Sequence, residues 1–74
     1  MMNTFSRLAS LVIAFADDNN ISVADSNGWT LVTMADEALG LDMDGKTFVE
    51  VLTLVQYEGL ERADGDYADG DYAV

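Results

Sequence analysis

Apolar positions recur at helical spacing at both ends of the chain and alternate with polar ones in the middle. Phe5, Leu8, Val12 and Phe15, with Leu11 beside them, lie three and four residues apart, which predicts a first helix over roughly residues 4–16. Asn3 or Thr4 suits the N-cap, because either side chain can accept from an orphan amide. Asp17-Asp18-Asn19-Asn20 should end the helix, since anions are disfavoured at the negative end of its dipole. The middle reads as a β-hairpin. Ile21–Asp25 and Trp29–Met34 alternate around Ser26-Asn27-Gly28, and Asn-Gly tolerates the positive φ of a tight hairpin turn. On this reading Trp29 is a core residue on one strand face with Leu31 and Thr33. The competing reading is a helix from near Thr30 through Met34 and Ala38 to a stop at Gly40; Ala35 to Leu39 forms a helical turn in either case.

Thr47-Phe48-Val49-Glu50 has the form of a capping box. Phe48, Val51, Leu52 and Val55 follow at helical spacing, with Gly59 as the expected left-handed stop. The run is rich in β-branched residues, so a buried strand is the alternative. Residues 63–72 are Ala-Asp-Gly-Asp-Tyr twice over, and their glycines argue for an extended tail without a fixed core contact. The predicted fold is α+β: N-terminal helix, central β-hairpin, C-terminal helix and acidic extended tail. An all-α three-helix domain is the alternative. Residues 1–60 form the compact acidic domain and residues 61–74 the repeat tail.

Charge changes this picture more than any motif does. The chain has 74 residues, fourteen Asp and Glu against three Lys and Arg, and a net charge of -11. Residues 61–74 hold -4 of it and the body the remaining -7, so acidity is not confined to the tail. Such a balance argues against binding DNA, RNA or an anionic membrane directly. Cysteine, histidine and proline are absent, which removes disulfides, zinc fingers and thiol or imidazole catalysis. A core this small leaves only about 3–5 kcal/mol of net stability, against which the carboxylates repel one another. On a globule about 30 Å across, the charge amounts to one unit per ~2.7 Å, of the order of the ~1.7 Å spacing on duplex DNA.

No constellation points to catalysis or to a resident metal or cofactor. Asp42-Met43-Asp44-Gly45 resembles the middle of a calcium loop, but the first and twelfth positions would be Gly40 and Val51, neither of which supplies a carboxylate. The Asp-Gly-Asp repeats offer oxygens only at the cost of ordering the segment. Arg7, the apolar stretch Leu8–Ala16 and Ala14-Phe15-Ala16 have the outline of a secretory signal; a core helix is the preferred reading. The expected location is therefore cytoplasmic, with secretion after cleavage as the alternative. Trp29, Tyr57, Tyr67 and Tyr72 are the aromatics chemically suited to an interface.

In size, acidity and lack of cysteine the whole chain resembles the small phage-encoded inhibitors of the anti-CRISPR and anti-restriction, DNA-mimic type. The resemblance implies a protein that occupies the basic groove of a DNA- or RNA-binding partner, such as a CRISPR effector or restriction enzyme, in the host cytoplasm. The expected contact residues are Asp36, Glu37, Asp42, Asp44, Glu58, Glu61, Asp64, Asp66, Tyr67, Asp69, Asp71 and Tyr72. Asp outnumbers Glu, which also suits a protein from a high-salt cytoplasm. The alternative function is a non-catalytic interaction module or subunit, possible as a homodimer, whose acidity serves solubility or salt adaptation.

Overall fold

A computed structural model describes residues 3–73, with side chains to Ala63. The chain is all-α: α1 spans Thr4–Asp18, α2 spans Gly28–Leu39 and α3 spans Gly45–Ala73. Among the described residues there is no strand.

The expected first helix is present. Asn3 is its N-cap, its side chain accepting from the Ser6 amide at 2.8 Å. At the other end Asn20 takes φ 57°, and the Ile21 amide donates back to the Ala16 carbonyl at 2.8 Å. This left-handed closure satisfies carbonyls that the helix leaves free. The buried face is Ala9, Val12 and Ala16, with Leu8, Ile13 and Phe15 packed at its edges. Leu11, which the spacing grouped with the core, is exposed.

The central hairpin is overturned. Asn27 has φ -69° and ψ 118°, an extended N-cap geometry, and its side chain accepts from the Thr30 amide at 3.1 Å. Asn-Gly opens a helix here instead of turning a hairpin. Leu31, Val32 and Ala35 are buried at helical intervals, and Gly40 ends α2 at φ 64° as expected. Residues two apart on a helix lie about 200° apart around its axis, so burying Leu31 turns Trp29 outward. Trp29 is 60% exposed and not a core residue.

Three further expectations are corrected in α3. Its N-cap is Asp44, whose carboxylate accepts from the Thr47 amide at 2.8 Å; Thr47 lies inside the first turn and is not the cap. Gly59 does not stop the helix. It is buried, and a Cβ there would lie 2.8 Å from the Val23 carbonyl oxygen, so glycine admits the α1–α2 connection against α3. Nor is the tail extended, for the α3 backbone continues through both repeats to Ala73. Propagating an already nucleated helix through a glycine costs only about 1 kcal/mol each.

Val51 and Val55 complete a core made mainly of valine and alanine, with Val23 from the connection and Leu31 as its largest side chain. All three helix pairs are in contact. At about 1.5 Å per residue α3 is about 44 Å long, which sets the longest dimension of 45 Å. The radius of gyration is accordingly 13.0 Å, above the ~11 Å of a compact chain of this size.

Candidate functional site

None of the described polar or charged side chains is buried, so the carboxylates clothe the molecule instead of entering its core. They divide by what they do for the fold. Asp44 caps α3, and its bonds to Thr47 hold its pKa below the usual carboxylate value. Asp36 braces the turn between α2 and α3: its side chain accepts from the Met43 amide at 3.3 Å, and its carbonyl accepts from the Leu41 amide at 3.1 Å. Asp25 bonds the Ser22 hydroxyl at 3.1 Å within the connection.

Glu58 and Asp17 share one cation. Arg62 donates from Nε to Glu58 at 2.9 Å and from Nη1 and Nη2 to the two oxygens of Asp17 at 2.9 and 3.3 Å. The clamp ties the C-terminal end of α1 to α3. It also offsets the unfavourable position of Asp17 against the helix dipole. The Arg62 hydrogen bonds, reinforced by its charge, lower the Asp17 pKa, and the two carboxylates raise that of Arg62. Sequence reading missed this pair because 45 residues separate its members.

Five described carboxylates remain with no hydrogen bond or ion pair among the described residues: Asp18, Glu37, Asp42, Glu50 and Glu61, all exposed. Of the expected contact residues, Glu37, Asp42 and Glu61 thus have no intramolecular bond among the described residues. Asp36, Asp44 and Glu58 are already engaged in the fold. Asp18 and Glu50 were not among the expected contact residues: the sequence placed Asp18 in the stop of the first helix and Glu50 in the capping box of the last. For Asp64, Asp66, Tyr67, Asp69, Asp71 and Tyr72 the side chains lie outside the described residues; their backbone belongs to α3.

A second feature was hidden by the hairpin reading. The outward turn of Trp29 brings its ring to Phe48, with centroids 4.8 Å apart and planes at 59°. The pair lies in an open groove of about 460 Å³ between α2 and α3, lined also by Thr33, Met43, Asp44 and Val49. Val49 is 54% exposed. Among the described residues no group of acidic side chains is arranged to hold a metal ion. No helix among them is long and apolar enough to cross a membrane. Comparison with known protein families, curated proteins and solved structures gives no significant match.

Proposed function

We propose that the chain is a non-catalytic acidic decoy, which enters the basic groove of a DNA- or RNA-binding protein and competes with nucleic acid for it. The observation that carries this reading is the disposition of charge. Eleven net negative charges on a body 45 Å long amount to one per roughly 4 Å of axis. That is close to the ~3.4 Å spacing of a single nucleic-acid strand and sparser than the ~1.7 Å of a duplex. Five of the carboxylates serve no intramolecular bond among the described residues. Such a field accelerates encounter with a cationic cleft, and local charge pairs then set register.

The test is competition. CRISPR effectors and restriction enzymes are titrated with the chain while their DNA binding is followed by fluorescence anisotropy. DNA should be displaced, excess oligonucleotide should reverse the effect, and affinity should fall steeply between about 0.1 and about 0.5 M NaCl. Neutralising Asp18, Glu37, Asp42, Glu50 and Glu61 together to Asn or Gln should slow association while leaving the helices intact. Displacement that ignores both salt and these substitutions would overturn the reading.

A further inference from the structure

We infer that the groove between the first turns of α2 and α3 is the apolar anchor site for the cationic partner, taking an aromatic or branched aliphatic side chain presented by a lysine- or arginine-rich segment. The inference rests on the decoy reading for its partner and adds the feature that would hold the partner once charge has attracted it.

The groove is built, and not merely exposed. Asn27 caps α2 and fixes where Trp29 falls on the helix, and the Thr33 hydroxyl donates to the Trp29 carbonyl at 2.8 Å one turn on. From the opposite wall Asp44 caps α3 and places Phe48 against the indole at 4.8 Å. Aromatic pairs of this kind are the usual anchors of protein interfaces, because they bury a large area at low entropic cost. Yet Trp29 is left 60% exposed, while Leu31 is the one buried side chain larger than valine among the described residues.

Charge complementarity identifies the occupant. Residues 36–50, which run past the groove, hold Asp36, Glu37, Asp42, Asp44 and Glu50 against the single cation Lys46. Asp44 forms part of the wall, and Asp36 is hydrogen-bonded to the backbone of lining residue Met43. An apolar segment flanked by cations satisfies both surfaces. A second copy of this chain does not, since each copy brings a net charge of -11 to the contact.

Trp29 is the chain's single tryptophan, so its fluorescence reads occupancy directly. The full chain is titrated with an amphipathic helical Leu/Lys peptide and, separately, with oligolysine of equal charge. The Leu/Lys peptide should shift Trp29 emission to the blue and shield it from acrylamide, and oligolysine should bind without doing so. Val49→Glu, an exposed change on a helix, makes the groove more acidic and less apolar. It should weaken the Leu/Lys peptide about fivefold or more and leave oligolysine equal or tighter, with circular dichroism unchanged.

Equal blue shifts from both probes, or no selective effect of Val49→Glu, would overturn the anchor and leave the decoy reading standing. Failure of either probe to bind at low salt would overturn both. A blue shift that grows with the chain's own concentration would assign the groove to a second copy and overturn the cationic occupant.

Discussion

Replacing Gly59 by alanine sets two sizeable effects against each other. On helix propensity alone the substitution in the interior of α3 should gain about 1 kcal/mol. The structure predicts the opposite sign. The new Cβ would lie 2.8 Å from the Val23 carbonyl oxygen, 3.5 Å from its carbon and 3.6 Å from the Ala24 Cα, all backbone atoms. They cannot swing aside as a side-chain terminus would. The connection that carries them is pinned at one end by the Ile21 amide on Ala16 and at the other by the Ser26 amide on Ser22. Moving Val23 outward also withdraws its buried side chain from the core.

Overpacking of this sort costs about 1–3 kcal/mol, and because backbone must move the upper part of that range, about 2–3 kcal/mol, applies; the net expectation is a loss of about 1–2 kcal/mol after the propensity gain. On a margin of about 3–5 kcal/mol that is a large fraction, equivalent to a fall in Tm of about 4–8 °C for each kcal/mol. Urea unfolding followed by circular dichroism measures it, with an unchanged m-value as the sign that both chains unfold from equally compact states. Gly45→Ala is the control, because nothing lies within 4 Å of its would-be Cβ; it should be neutral or mildly stabilising. If Gly59→Ala is as stable as the parent, the close approach of the connection to α3 is refuted.

Asn27→Ala should cost about 1 kcal/mol in the same experiment through loss of the bond to the Thr30 amide, and Asn27→Ser should restore most of it. Equal stability of the two variants would contradict the capping role. In acid the sign follows from the lowered pKa values of Asp17 and Asp44, for which the ordinary value is 3.8. The folded state binds fewer protons than the unfolded one at these sites, so their stabilisation is present above that value and is lost as pH falls through and below it. Tm measured from about pH 5 to about pH 2 should therefore show a flatter acid limb for Asp17→Asn than for the parent, and identical limbs would refute the clamp.

The sequence made α1 legible because three signals agreed: periodic apolar residues, a capping Asn3 and an Asp-Asp end. α2 was ambiguous because Asn-Gly serves equally as a hairpin turn or as an N-cap followed by the first helical residue. The deciding evidence lay further on, in the spacing of Leu31, Val32 and Ala35 before Gly40. That one choice also determined where Trp29 went, and so concealed the groove. Gly59 was read as punctuation when its role is contact with residues more than thirty positions earlier. Ala9, Ala16 and Ala35 gave no warning of being core, since alanine is at home on either face of a helix. The Arg62 clamp likewise needed the tertiary fold.

Stability supplies a reason for some of the acidity and not for the rest. Asp17, Asp25, Asp36, Asp44 and Glu58 each accept a hydrogen bond that caps, braces or clamps an element. Asp18, Glu37, Asp42, Glu50 and Glu61 accept none from the described residues, so within that part of the fold they contribute mainly repulsion. Asp64, Asp66, Asp69 and Asp71 add four more charges in the repeats with no cation among them. A core of valine and alanine has little margin to spare for that repulsion. If acidity served solubility alone, a net charge of about 2–8 would suffice for a small domain, below the eleven carried here. On the decoy reading proposed above, the surplus is a surface kept for a cation-rich partner, and the Trp29–Phe48 groove would give that partner something to hold that salt does not screen.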